Sequence, residues 1–292
     1  MTGFLCLYKK SGRTSFQAVA EVRRLTGEKK LGHTGTLDPM AEGVLPVAFG
    51  RASKFIELLP DHEKAYNARL RLGLRTDTLD VTGTVVETGE IACTENDVRA
   101  VLSRFTGDIL QVPPMYSAKS VGGVRLYKLA RAGEEIERAA VPVHIESIDF
   151  LGAVGETEYE IAVRCGRGTY IRSLIDDIGN ALGCGAVMTK LTRTYSNGFD
   201  IQDAHTAEEI AACGNIEALL IPVDRVLEIY PAIPVSAKQT KLFKNGVSLD
   251  PARLEIPAGS ACYRIYAPDG GFIGVGELAD GAMKMRKLYD IS

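Results

Sequence analysis

Residues 31–50 read LGHTGTLDPMAEGVLPVAFG, and the change of pattern inside them decides how the surrounding chain folds. The first half has no apolar period and is punctuated by Gly32, Gly35 and Pro39, which predicts a loop. GVLPVAFG, directly after it, predicts a buried strand interrupted at Pro46. Upstream, FLCLYK reads as a short strand. Thr14 and Gln17 then form a capping box that opens a helix through Val19, Val22 and Leu25, stopped by Gly27. Downstream, AYNARLRLG alternates, with Tyr66, Ala68, Leu70 and Leu72 on one face and Asn67, Arg69 and Arg71 on the other, as in a half-buried strand.

The same alternation of signals continues to about residue 225. Thr94 caps a helix through Val98, Val101, Leu102 and Phe105 that ends at Gly107. QVPPMYSAKSVGG is irregular, and VRLYKLARA before Gly133 is helical. Lys119, Arg125, Lys128 and Arg131 make the stretch near 108–133 a candidate basic arm. EYEIAVRC is a strand, GRGTY a glycine turn, and IRSLIDDIGNALG a helix with Ile171, Leu174, Ile175, Ile178 and Leu182 at helical spacing. AVMTKLTRTYS closes the series as a strand. Hairpin-like strand pairs outnumber strand–helix–strand units, so the expected fold is α+β, a mixed, largely antiparallel sheet flanked by helices. IPVDRVLEIYPAIPVS, with three prolines, reads as a linker. Residues 230–292 then form a small β-rich module with one helix (SAKQTKLFKNG) and a turn at Pro268-Asp269-Gly270-Gly271.

Composition narrows the function classes. With 292 residues, 46% hydrophobic and 24% charged, the chain falls among ordinary globular proteins. No apolar segment is long enough to span a bilayer and no signal-peptide pattern opens the chain, so a cytoplasmic monomer without membrane contact is expected. Six scattered cysteines lack a CxxC pair, which argues against a zinc knuckle or a disulfide framework. The net charge of −3 speaks against a polyanionic partner until it is divided: residues 1–133 carry 19 basic and 14 acidic side chains, residues 134–225 carry 7 and 16, and the remainder 8 and 7. A basic N-terminal part is compatible with RNA.

Motif chemistry is sparse. Nothing fits GxxxxGK[ST], GRGTYI and GVGELA each fail the third glycine of GxGxxG, and neither HExxH nor GxSxG occurs. His33, His62, His144 and His205 show no metal-ligand spacing, so no metal and no cofactor is expected. Asp38 stands out because it lies in the loop between glycines and next to Pro39, where rigid backbone can fix a carboxylate. Local pattern alone favours a turn-forming Leu-Asp-Pro.

The run GHTGTLDPMAEGVLPVAFGRASKF closely resembles the catalytic loop of the TruB family, the synthases that make pseudouridine in the T-loop of tRNA. KAYNARLRLGLRTDTLDVTG, QVPPMYSA, GRGTYIRSLIDDIG and TKLTRTYSNGF resemble further segments of that family in the same order, covering about residues 3–225. The last 60 or so residues are similar to the small PUA-like RNA-binding domain that many of these enzymes carry. The resemblance implies a pseudouridine synthase-like catalytic domain over 1–225, a PUA-like domain over 230–292, and isomerisation of uridine 55 of tRNA after base flipping. It further implies that Asp38 is the catalytic aspartate and that Tyr66 stacks on the target base. Arg172 would pair with Asp38, Tyr170 and Leu191 would line the uracil pocket, and His33 would contact RNA near the flipped nucleotide.

Each of these residues also fits a plain structural role: Tyr66 and Leu191 as core, Tyr170 at a helix start, His33 bonded within its own loop. Arg172 is the telling one. A cation in the first turn of a helix is disfavoured by the dipole and is easier to explain with a carboxylate against it. The chain departs from the family pattern at Lys9-Lys10, where Lys-Pro is usual, and at Lys119, which comes one position early after Tyr116-Ser117-Ala118. A metal-dependent hydrolase using Asp77, Asp80, Asp176 and Asp177 is a rival reading, weakened because Asp176 and Asp177 are helix neighbours that point apart.

Overall fold

The computed structural model describes residues 1–59, 63–117, 119–134 and 136–289; His62 lies outside them. The FLCLYK run forms β1 (Gly3–Lys9), and the Thr14–Gln17 capping box opens α1 (Ser15–Thr26), which ends at Gly27 in a left-handed conformation. Next come β2 (Leu31–His33), β3 (Glu42–Phe49) and β4 (Lys64–Leu72), then a small hairpin of β5 (Leu74–Thr76) and β6 (Val85–Thr88). The helix α2 (Glu95–Val101) runs into a 3-10 turn over Leu102–Phe105 before β7 (Gly107–Gln111). The candidate arm is a two-stranded ribbon, β8 (Ser120–Val121) and β9 (Val124–Arg125), followed by α3 (Leu126–Arg131). The side chain of Arg131 lies outside the described residues.

The second half contributes β10 (Val141–Ala153), β11 (Glu158–Cys165), α4 (Ile171–Ala181), β12 (Ala186–Ser196) and β13 (Phe199–Asp200). These strands complete a nine-stranded sheet of order β1-β3-β12-β4-β11-β10-β7, with β2 added to β3 and β13 to β12. Every pairing in it is antiparallel except β12 with β3, so the sheet is mixed and largely antiparallel, as the sequence pattern predicts.

Two differences from the sequence expectation concern β2 and β3. Leu31–His33 pairs with Val47–Phe49 although it lacks an apolar pattern. Pro46 does not interrupt β3: its carbonyl accepts from the Thr34 amide (3.1 Å), so the side of Pro46 that lacks an N–H faces the end of β2, not the ladder with β1. The apolar run is continuous because this end of the sheet is covered on both faces. Leu45, Val47 and Phe49 join the core formed with α1 and α4, while Val44 and Ala48 pack on the opposite side with Phe4, Phe55 and Phe199.

The α4 helix lies on β12 and β4, burying Ile171, Leu174, Ile175 and Ile178, each worth about 1.5–3 kcal/mol of burial. Its approach to β12 depends on Gly179, where a Cβ would fall 2.1 Å from the Ala186 nitrogen.

The proline-rich segment after residue 220 is a packed strap and not a free linker. Ile221 exchanges both backbone hydrogen bonds with Phe4, Pro222 stands at the N-cap position of a short helix over Val223–Val226, and Val223 and Leu227 are buried. The prolines mark ends of elements there, which is why they resemble a linker in sequence. In chain order these helices are α5 (Ala207–Ala212) and α6 (Val223–Val226). They are followed by β14 (Ala232–Pro234), α7 (Ala237–Lys244), β15 (Cys262–Tyr266), β16 (Phe272–Ala279) and β17 (Ala282–Leu288). The last strands form a separate four-stranded sheet, β14-β15-β16-β17. Its Phe272 and the nearby Tyr289 meet Phe55 at ring separations of 6.2 and 6.1 Å, so the two sheets share one apolar seam. Among the described residues no helix is long and apolar enough to cross a membrane.

Candidate active site

The loop between β2 and β3 carries Asp38, and its backbone is fixed from three directions. From the start of α1, the Ser15 hydroxyl accepts from the Leu37 amide (2.8 Å) and donates to the Leu37 carbonyl (3.1 Å). From the turn after β1, the Gly12 amide donates to Pro39 and the Ser11 hydroxyl to the Met40 carbonyl. The buried Lys9 ammonium donates to the carbonyls of Ala41 (2.5 Å), Lys10 and Pro39. The opening turn is therefore anchored without the usual proline. Burial pulls the Lys9 pKa down to about 8, aided by Arg193 and opposed by Asp38 and Glu42.

The third anchor, Arg193 on β12, was not singled out in sequence. It is fully buried and donates to the carbonyls of Val44 (2.7 Å), Gly35 (3.2 Å) and Thr36 (3.4 Å). Gly43, its neighbour in β3, has φ +103°, and a Cβ there would lie 2.2 Å from the Arg193 carbonyl oxygen. Only glycine lets these strands meet. The signal for Arg193 in sequence is a cation two positions after Leu191, on the apolar parity of the strand.

Asp38 itself is about one-third exposed, with side-chain accessibility of 35%, and its Oδ2 lies 2.9 Å from Nε of the buried Arg172. The remaining guanidinium nitrogens are spoken for. Nη1 donates to the Thr78 carbonyl (3.0 Å) and lies 3.8 Å from Asp80 Oδ2, while Nη2 donates to the Tyr116 carbonyl (2.8 Å). Arg172 thus joins the Asp38 loop, the 75–83 turn and the QVPPMYSA segment at the start of α4. Two carboxylates there offset the unfavourable helix dipole. Asp80 is held in turn by Thr78 and Thr82 through its Oδ1. Gln111, at the end of β7, brackets Tyr170 by donating to its carbonyl and accepting from its amide, and the Ser173 hydroxyl donates to Val112.

The other singled-out residues distribute around this pair. Tyr66 is directly across from Arg193, and Ala68 from Leu191, in the β4–β12 ladder, so all four occupy one face. Tyr66 is 7% exposed, so it can offer a base only a narrow part of its ring. Burial pushes its phenol up to about 12, against the opposing pull of the Arg193 charge. Leu191 is buried, Tyr170 half-buried. His33 sits on β2, half-buried; burial lowers its pKa and Arg193 adds to that, against the opposing effect of the Gly35 backbone. The structure brings Asp38 and Arg172 into direct contact and sets Tyr66 and Leu191 on the adjoining sheet face.

The carboxylates of the rival hydrolase reading are occupied separately. Asp176 takes a two-point contact from Arg75 (2.6 and 2.8 Å), Asp77 accepts from the Thr84 amide, and Asp80 faces Arg172. Among the described residues no group of three or more acidic, histidine or cysteine side chains converges as a metal site would require.

A family model described as TruB family pseudouridylate synthase (N terminal domain) matches residues 23–171, and one described as tRNA pseudouridylate synthase B C-terminal domain matches residues 172–228. The chain belongs to the TruB family. The Asp38–Arg172 ion pair therefore bridges the two matched segments. A relative from Clostridium acetobutylicum named tRNA pseudouridine synthase B is 43% identical, with 99% of each chain covered. A relative of the same name from Stutzerimonas stutzeri is 41% identical, covering 99% of this chain and 95% of its own. Among solved structures, a chain of "Crystal Structure of a Cbf5-Nop10-Gar1 Complex" matches with a TM-score of 0.74 at 24% identity, covering 98% of this chain and 84% of that one. A chain of "Structure of H/ACA RNP bound to a substrate RNA containing 2'-deoxyuridine" matches at 0.73 and 22%, covering 99% and 85%. The TruB-type fold of this chain, with its C-terminal module, agrees with both.

Proposed function

We propose that this TruB-family pseudouridine synthase isomerises the T-loop uridine of transfer RNA, uridine 55, with Asp38 as the catalytic carboxylate. The observation that carries the reading is the partly exposed Asp38 carboxylate held by a buried arginine whose other two nitrogens each donate to a backbone carbonyl. Such an arginine can orient the carboxylate but cannot follow it elsewhere.

The reaction breaks the C1′–N1 bond, turns the freed uracil and joins C5 to C1′. The C5 proton then leaves to solvent. Nothing is oxidised and no group is transferred, so the chemistry asks for an ionised group close to the sugar and the base. A carboxylate is a group of that kind. Its role is nucleophilic or electrostatic. Attack on the base, attack on C1′ and removal of the C2′ proton all start from the same carboxylate.

A uridine inside a folded T-loop has to be extruded, at a cost of a few kcal/mol. Base–aromatic stacking is worth about 1–3 kcal/mol per base, and Tyr66 would supply its part of that from the exposed margin of its ring. Leu191 forms an apolar wall beside it, Tyr170 stands at the mouth near the start of α4, and His33 approaches the RNA from β2. The 108–133 arm and the PUA-like 230–292 domain would hold the RNA backbone. An open cleft of about 740 Å³ lined by Lys54, Lys284, Arg286 and Lys287 supports the second assignment. None of its lining residues belongs to the Asp38 site. The enzyme is read as a cytoplasmic monomer.

The test is tritium release from a tRNA transcript labelled at uridine C5, with uridine 55 as the single labelled position. Wild-type protein should release tritium, and Asp38→Asn should bind the transcript and release none. No release by the wild type would remove the reading.

A further inference from the structure

Lys64, the first residue of β4, lies two positions before Tyr66 and on the same face of the strand. It is half-buried, and its ammonium packs against the loop that carries Asp38: a Cβ on Gly35 would lie 3.9 Å from Lys64 Nζ and 3.8 Å from Arg193 Nη1. Two cations therefore flank one backbone position of that loop. Arg193 is satisfied by carbonyl oxygens. Lys64 is not: among the described residues no hydrogen-bond acceptor and no carboxylate pairs with its ammonium. The adjacent acid Glu63 is engaged with Arg164.

A half-buried cation without a counter-charge is costly to keep. Burial and the neighbouring Arg193 both pull the Lys64 pKa down, with Cys165 opposing them. A site of this kind is completed when a ligand brings the missing negative charge. Its place beside Gly35, three residues before Asp38, and two positions before Tyr66 on the sheet restricts what that ligand can be. We infer that Lys64 is the docking point for a phosphodiester immediately flanking the uridine that is turned out of the RNA. The inference rests on the proposed function. Lys64 would act as a point charge that fixes the backbone at one end of the extruded nucleotide while Asp38 and Tyr66 face its sugar and base.

The experiment uses the full chain and a T-arm stem-loop RNA, with Lys64→Met and Lys64→Arg as variants. Binding is followed by fluorescence anisotropy over a range of salt, and each phosphate beside the target uridine is replaced in turn by an uncharged methylphosphonate. Lys64→Met should bind about tenfold more weakly, with KM rising more than kcat falls. Its plot of log affinity against log salt should be shallower by about 0.7–0.9. Lys64→Arg should recover most of the affinity. One methylphosphonate should weaken wild-type binding by a similar factor and leave Lys64→Met unaffected. Thermal melting of Lys64→Met should be no lower than wild type, because the unpaired cation is gone.

Unchanged affinity and salt slope in Lys64→Met would overturn the inference. So would equal losses in wild type and variant at both methylphosphonate positions, or a lowered melting temperature that accounts for the weaker binding. If wild-type protein releases no tritium from labelled tRNA, the proposed function itself fails; if it does and Lys64→Met behaves as wild type, only the phosphate contact fails.

Discussion

Arg172 makes contact with four groups from three stretches far apart in the chain: Asp38, then Thr78 with Asp80, then Tyr116. Lysine has one point charge where this site uses a planar fork, so Arg172→Lys should lower the single-turnover rate on labelled tRNA by about 100-fold or more, while anisotropy shows RNA affinity within a few-fold of wild type. Asp80→Asn probes the same fork from behind and should reduce the rate by about tenfold at unchanged affinity, since it loosens the guanidinium and touches no substrate. At this scale local chemistry left only a partial mark: a cation in the first turn of a helix made Arg172 stand out, while Asp38 read as easily as a turn residue, and the pairing of the two came from the family resemblance. Arg193 and Lys64 left weaker marks. β12 carries register shifts between Met188 and Lys190 and between Arg193 and Tyr195, which blur the parity that would expose a buried arginine, and Lys64 stands at the first position of its strand, where a lysine is unremarked.

The elements that place these residues are joined at close backbone approaches. Gly43→Ala puts a methyl group against the Arg193 carbonyl in a conformation that alanine resists, so it should lower the melting temperature and, by displacing the Arg193 clamp, the rate as well. On α4, burial raises Asp177 to about 6, with Asp176 adding to the effect and Arg75 opposing it. A carboxyl whose folded pKa lies above its unfolded value of 3.8 destabilises the ionised folded form. Stability associated with it is present below pH 3.8, falls between 3.8 and 6, and is fully lost above 6. Asp177→Asn should therefore be more stable than wild type by about 1 kcal/mol at pH 7, after allowance for solvent screening, with the difference vanishing below pH 4; denaturant melts across that range measure it. Element types were well signalled in sequence by capping boxes and by period-2 alternation. β2 was not, because its pairing with β3 comes from the tertiary setting and not from its own three residues. The strap after residue 220 was misread because prolines at the ends of packed elements look like prolines in a linker.

Across the whole molecule the two sheets share the seam of Phe55, Phe272 and Tyr289, closed at its edge by the Lys287–Glu57 ion pair at 2.8 Å. Phe55→Ala should cost about 3–5 kcal/mol, and calorimetry should then resolve two transitions where wild type shows one. The sheet topology was only partly legible: hairpins announce antiparallel neighbours, but the parallel pairing of β12 with β3 joins residues about 150 apart and leaves no local trace. The same long separations govern when the protein first becomes competent. Arg172 draws together segments around residues 38, 80 and 116, and each of those loops must close before its guanidinium has all its acceptors. Competence is therefore a late event in refolding. Recovery of tritium release after dilution from denaturant should lag behind the return of helical signal and coincide with the slowest burial step, so that a half-folded chain holding RNA would not act on it.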